Sequence, residues 1–233
     1  ERIRQGATSS PRRDFSYHSG ERQTSGTLDK IRYDHIARYR HAVDFFRQHA
    51  VADGLLFGLD AFCGNGYGTY MLSTELGIFT LGIDGSAEAI AFANDHYSSG
   101  RNLFSHKIFP FSLPRNVFDV VVSIESIEHV EKDRAFLVEL YCALKRGGYL
   151  VLSAPNETVF PFTIGSAFHY RHYARREIVA LADGVGDLEL VSVHGQDIYR
   201  IEDRRVIEAL PDKDMELFSS REGQIGIYVF KKG

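Results

Sequence analysis

The sequence predicts an α/β fold built on a mostly parallel sheet, and two observations carry that expectation. From residue 55 onward, short apolar runs alternate with helical segments, the order that gives a parallel sheet with right-handed crossovers. The first of those runs, LLFGLD, ends in an acid and enters a loop with glycines at 64, 66 and 68, and a helix-like segment, TYMLSTEL, follows. Strand, glycine turn and helix start in that order bring backbone close to a ligand at the carboxyl edge of a sheet.

Taken in order, residues 1–27 are rich in Arg, Ser, Gly and Thr and lack periodicity. They read as a flexible arm, interrupted by Phe15 and Tyr17. The spacing of Ile31, His35, Ile36, Tyr39, Ala42, Val43 and Phe46 predicts a helix over 29–49. Strands are expected over 55–60, 79–84, 103–108, 118–124 and 148–154, and helices over 68–77, 86–97, 132–146 and 175–183. The run FDVVVSI is almost continuously apolar, as in a strand buried on both faces. Phe136, Leu137, Leu140, Tyr141 and Leu144 share one helical face, and Gly147-Gly148 is expected to stop that helix. Two last strands, 187–194 and 224–231, flank a polar stretch with a helix-like piece near 203–210. With no full crossover between them, they are expected to pair antiparallel. Residues 28–233 read as one domain.

Composition narrows the function. Of the 233 residues, 44% are hydrophobic and 25% charged, ordinary for a soluble globular chain. A net charge of −4 gives no electrostatic footprint for nucleic acid. No apolar run reaches the ~18 residues of a membrane span, and no apolar leader core follows the first residues, so a cytoplasmic protein is expected. Cys63 and Cys142 are far apart and read as free thiols.

The loop G-N-G-Y-G-T is neither the G-x-G-x-x-G of dinucleotide binders nor a phosphate-cradling G-x-x-x-x-G-K-[ST]. A second apolar run, FTLGID, ends in Asp84, at the separation of about twenty residues where such folds place a ribose-binding carboxylate. Acidic neighbours suit a ligand with a ribose and a positive charge. S-adenosylmethionine, with its adenosine and sulfonium, is such a ligand.

LDAFCGNGYGTYML followed by LGIDGSAEAIAFANDHY resembles the first two motifs of class I S-adenosylmethionine-dependent methyltransferases. FDVVVSIESIEHVEKDRAFLVELYCALKRGGYLVLSAPN resembles their fourth and fifth strands with the helix between. The resemblance spans residues 30–195. It implies a Rossmann-like, seven-stranded, mostly parallel sheet with helices on both faces and an antiparallel last strand. It also implies an enzyme that transfers a methyl group from S-adenosylmethionine to a small molecule.

Carried over residue by residue, it makes Asp84 the ribose acceptor and sets Asp60 near the methionine portion. Gly64, Asn65, Gly66, Gly85 and Ser86 form the loops around the cofactor, and Glu125 follows the fourth strand. Arg38 and Tyr39, in HIARYRHA, approach the cofactor carboxylate. The family's usual acid after the third strand is missing. SHKIFPFSLPRN offers Lys107 or Ile108 instead, leaving adenine to backbone and to Phe109 or Phe111.

His169 and His129 are the candidate general bases, since imidazole titrates near neutral pH. Glu128 either caps the following helix or acts directly. His169 and His172 have ligand-like spacing but no third partner nearby in sequence, so no metal is expected. Residues 156–173 read as a substrate-covering loop. The segment GERQTSGTLDKIRYDHIARY resembles glycan-pathway and secondary-metabolite methyltransferases, which implies O-methylation of a sugar-like acceptor. A non-catalytic S-adenosylmethionine-binding module and an RNA or protein methyltransferase stand as alternatives.

Overall fold

The computed structural model describes residues 22–50, 56–162, 168–203 and 205–233. Most of the expected arm and the centre of the expected covering loop therefore lie outside the described residues. A 3₁₀ turn at Leu28–Lys30 leads into α1 (Tyr33–His49). There follow β1 (Phe57–Ala61), α2 (Tyr67–Glu75), β2 (Phe79–Asp84), α3 (Ala87–Tyr97), β3 (Asn102–His106) and β4 (Phe118–Ser123). After them come α4 (Asp133–Ala143), β5 (Leu144–Pro155), α5 (Arg175–Asp183), β6 (Leu188–Gln196), β7 (Tyr199–Glu202), β8 (Arg205–Ala209) and β9 (Ile225–Lys232).

Seven strands form one sheet in the order β3-β2-β1-β4-β5-β9-β6. β1 pairs in parallel with β2 and β4, β2 with β3, and β4 with β5. β9 is inserted antiparallel between β5 and β6. The seven-stranded, mostly parallel sheet and its antiparallel last strand are those the sequence predicts. Because side chains alternate across a strand, Val120 and Val122 enter one core layer and Val121 the other. The first layer carries α1, α2 and α3 through Phe46, Met71, Leu72 and Ile90. The second carries α4 and α5 through Phe136, Leu140 and Ile178.

Two expectations are corrected. The described residues of 203–210 are not helical: β7 and β8 pair as an antiparallel hairpin, and Asp203, at the end of β7, has φ +47°. The β-branched Val206 and Ile207 favour extended backbone, and the polar content of the stretch reflects a strand exposed throughout. The helix expected over 132–146 ends at Ala143, because Leu144 already pairs with Phe118 as the first residue of β5. Gly147, at φ +76°, lies within that strand and is not a helix stop. Among the described residues no helix is long and apolar enough to cross a membrane.

An aromatic cluster joins α4 to the site. Phe136 is fully buried, stacks on Phe62 at 5.1 Å and meets the edges of Phe109 and Phe111. Phe136→Ala leaves a cavity under that wall. It is expected to cost about 3–5 kcal/mol of stability, read as a lower urea midpoint with an unchanged slope.

Candidate cofactor and acceptor site

A cavity of about 1170 Å³ opens at the carboxyl edge of β1, β2, β4 and β5. Its wall begins where β1 ends. Phe62, Gly64 and Gly66 all have positive φ, at 63°, 56° and 92°, which L side chains rarely adopt. The two glycines serve different ends. A Cβ on Gly64 would meet nothing within 4 Å, so its loop face is open. A Cβ on Gly66 would strike Ala93 at 2.6 Å and the Phe104 ring at 2.7 Å. Gly66 therefore lets α2 start close against α3 and β3, and it is not on the cavity wall.

Asp84 pins this loop. Its Oδ2 accepts the Gly64 N–H at 3.0 Å, and its Oδ1 accepts the Ser86 N–H at 2.8 Å. The Arg22 guanidinium also reaches Oδ1, at 3.3 Å. Asp84 and Gly85 line the cavity. Ser86 does not: its Oγ accepts the Ala89 N–H as the N-cap of α3. The expected cofactor contact of Ser86 is thus replaced by a helix cap.

Asp60 stands behind the wall. It is fully buried and accepts the Tyr39 hydroxyl at 3.0 Å and the Thr69 hydroxyl at 2.7 Å. Burial pushes its carboxyl up to about 7, against the pull of the two hydroxyls and with some help from the charge of Asp84. Tyr39, by contrast, lines the cavity, so the acid acts through the tyrosine.

Arg38 also lines the cavity, although it is almost wholly buried. Its Nη2 donates to Asp34 at 2.8 Å and its Nε to Gln196 at 2.7 Å. Gln196 is held in turn by donating to the carbonyls of Asp34 and Met215. Among the described residues Arg38 Nη1 has no hydrogen-bond partner, and neither has the buried Asn65 Oδ1. Asn65 donates its amide N–H to the Ser25 carbonyl at 2.9 Å, so residues 22–25 of the expected arm lie along the same wall.

Glu125 follows β4 at φ +47°. The Ser153 hydroxyl accepts its N–H at 2.9 Å and donates to its Oε1 at 2.8 Å, fixing the carboxylate at the cavity. Glu128 is not a cap for α4, where Lys132 holds that position. It lies, fully buried, in a 3₁₀ turn, Ile127–His129.

The histidines form one cluster. His172 Nδ1 is 2.6 Å from the Phe160 carbonyl, which only accepts, so Nδ1 carries the proton. In the singly protonated ring the other nitrogen, Nε2, is the acceptor, and it is 2.9 Å from His169 Nδ1. His169 Nδ1 therefore donates, and its lone pair is on Nε2. His129 Nδ1 donates to the Phe168 carbonyl at 3.2 Å, which leaves its lone pair on Nε2 as well. The His129 and His169 rings meet edge to face at 4.7 Å, and both line the cavity. Glu128 Oε1 is 3.9 Å from His129 Nε2.

Ile108, Phe109 and Pro110 form an apolar stretch of wall beside Gly85. Phe160, Phe168, Tyr170, Ile198, Tyr199 and Val206 also line the cavity. Sequence reasoning missed Tyr199 and Val206, which the β7–β8 hairpin brings in, and Arg22. It also missed the Asp34–Arg38 pair, although spacing of four residues on a helix signals such a contact. Phe111 packs against Phe62 and Phe109 and is not on the wall.

Residues 59–152 match the family model described as a methyltransferase domain. Over that segment, and in its seven-stranded fold, the chain is similar to the class I S-adenosylmethionine-dependent methyltransferases. It is 26% identical over 170 residues to a probable S-adenosylmethionine-dependent methyltransferase of Mycolicibacterium smegmatis, covering 66% of this chain and 65% of that one. It is 36% identical over 106 residues to the mitochondrial ubiquinone biosynthesis O-methyltransferase of Schizosaccharomyces pombe, covering 43% and 38%. The chain thus spans less than two thirds of the length of either curated relative. A solved S-adenosylmethionine-dependent methyltransferase from Mesorhizobium loti shares the fold, with a TM-score of 0.63 at 14% identity over 85% of this chain and all of that one.

The wall fits the cofactor of that class. Arg38 Nη1 is an unused donor for a carboxylate, Asn65 Oδ1 an unused acceptor for an ammonium, and Asp84 a carboxylate for ribose hydroxyls. Asp84→Ala is expected to weaken S-adenosylhomocysteine binding about ten- to a hundredfold, or about 1.5–3 kcal/mol, by calorimetry. Asp60 gives a pH dependence. A carboxyl raised on folding favours the unfolded state once the pH passes its unfolded value of about 3.9. The ligand-free protein should therefore lose stability from about pH 4 to about pH 7 relative to Asp60→Asn, as read by thermal melts. A constant difference across that range would show that Asp60 is not raised.

Proposed function

We propose that this chain methylates a hydroxyl oxygen of a small, hydroxylated ring compound, with a sugar-like acceptor as the expected form. The observation that carries the reading is the relay Phe160–His172–His169, which fixes an imidazole lone pair on the cavity wall. A neutral hydroxyl is a poor nucleophile and needs its proton removed, whereas an amine does not. The names of the ubiquinone-pathway relatives also point to oxygen as the acceptor atom.

S-adenosylmethionine, when bound, supplies a methyl group on a sulfonium leaving group. The protein holds it through Asp84, the Gly64 loop, Asn65 and Arg38. Glu125, locked by Ser153, faces the cavity from the end of β4. Ionising the acceptor falls to His169 and His129, whose Nε2 lone pairs are set by their Nδ1 bonds. Phe160, Tyr199 and Val206 offer faces on which a ring can lie while water is displaced. Residues 28–233 serve as one catalytic domain.

His169→Ala is expected to lower turnover by about 10²–10⁴ with little change in S-adenosylhomocysteine affinity. The assay follows methyl transfer to a panel of sugars, phenols and amines. Methylation confined to amines would overturn the oxygen reading. Cofactor binding with no acceptor methylated would favour a non-catalytic binding module.

A further inference from the structure

Glu128, His129 and His169 bring one carboxylate oxygen and two ring nitrogens within 4.8 Å of one another. Sequence spacing had drawn attention to His169 and His172. The structure withdraws His172 from any such set, since both its nitrogens serve Phe160 and His169. The set is completed instead from the segment after β4, forty residues earlier in the chain at His129 and Glu128.

The second observation concerns the far side of each ring. Histidines that bind a metal donate their other N–H to a carbonyl or a similar acceptor, which fixes the tautomer and aims the lone pair. Both rings show this arrangement independently: His129 toward the Phe168 carbonyl, His169 toward His172, and His172 in turn toward the Phe160 carbonyl. The two segments are tied together by the Tyr170 N–H donating to the Glu128 carbonyl at 2.8 Å. The Tyr173 hydroxyl, donating toward the Ile127 carbonyl at 3.3 Å, closes the same seam.

We infer that Glu128, His129 and His169 hold a divalent cation whose open positions take the acceptor hydroxyl. Two imidazoles and one carboxylate are a donor set for Zn²⁺ and its first-row neighbours, not for Mg²⁺ or Ca²⁺, which favour oxygen. Ligands about 2.1 Å from one tetrahedral ion stand roughly 3.4 Å apart, so small side-chain rotations close the set around an ion. Both imidazoles lie on the cavity wall, so the ion faces the acceptor. With the ion bound, the two Nε2 lone pairs are spent on it, so the imidazoles act on the acceptor as ligands of the ion and no longer as bases. A hydroxyl bound to the ion loses its proton to water near neutral pH, as metal-bound water does, and its oxygen keeps the electron pair needed for attack. The inference rests on the methyl-transfer reading for this role. The ion site itself can be tested without any acceptor.

The protein is stripped with a chelator, dialysed and titrated with Co²⁺ and, separately, Zn²⁺. Binding is followed by calorimetry and, for Co²⁺, by visible absorption. One equivalent is expected to bind, with the absorption of a low-symmetry, nitrogen-containing site. Glu128→Gln, His129→Ala and His169→Ala should each weaken Co²⁺ binding at least tenfold, and His172→Gln, a positioning change, about ten- to a hundredfold. S-adenosylhomocysteine affinity, unchanged in each variant, reports that the fold is intact. No stoichiometric binding by the wild-type chain, or binding indifferent to all four substitutions, overturns the site. Full methylation by metal-free protein overturns the role assigned to the ion. Stoichiometric Co²⁺ binding lost in the variants, with no acceptor methylated, upholds the site and counts against the methyl-transfer reading alone.

Discussion

The hydroxyls of Tyr39 and Thr69 converge on Asp60 from two helices, so one buried carboxylate ties α1 and α2 to the end of β1. Taking a carboxylate out of water is costly unless it is hydrogen-bonded. Two hydroxyls only partly offset that cost here, which is why the acid is raised. What the arrangement secures is rotation. With Tyr39 fixed on Asp60 and edge-on to Tyr67, α1 cannot turn about its axis. Arg38, one position earlier, is then carried into the wall against Asp34 and Gln196. The cofactor wall is positioned by an acid that does not line it.

The histidine side of the cavity is organised differently. It is assembled from two irregular segments, one after β4 and one after β5, which parallel neighbouring strands deliver to the same edge. Among the described residues, neither segment has a helix long enough to hold it in place. Hydrogen bonds between them supply the rigidity: Tyr170 and Tyr173 reach back to the carbonyls of Glu128 and Ile127, and Arg171 pairs with Asp133 at 2.9 Å. The histidines are thus spaced by backbone contacts across the two segments, and their tautomers follow from carbonyls in the same loops.

The sheet was legible because buried parallel strands are apolar on both faces and so announce themselves as runs such as FDVVVSI. The glycine loop was legible because acid, alternate glycines and helix start are local in sequence. Asp84 was singled out for the same reason, and it lies on the cavity wall. Ser86 was misassigned because a residue just after a strand end can face a ligand or cap a helix, and only the Ala89 N–H decides between them. Gly66 was counted with Gly64, since sequence does not reveal that Ala93 and Phe104 crowd one and leave the other open. The hairpin at 199–209 was hidden because the apolar alternation of β7, YRIE, is only four residues long and β8 is exposed throughout. Glu128, His129 and His169 could not be read as one set, because their proximity is a property of the sheet order and not of any spacing along the chain.

The position of β9 bears on how the molecule is made. During synthesis from the amino end, β6 emerges before β9, yet its partner in the sheet is β9 and not β5. Until β9 arrives, β5 has an unfilled edge and β6 has no neighbour to bond. An emerging chain can settle the cofactor half early, since β1 to β4 pair among themselves through short crossovers. The Gln196 that braces Arg38 is the last residue of β6. The Arg38 side of the cavity wall is therefore completed late, and a ribosome-bound chain would expose an open strand edge at the place where a chaperone is most useful.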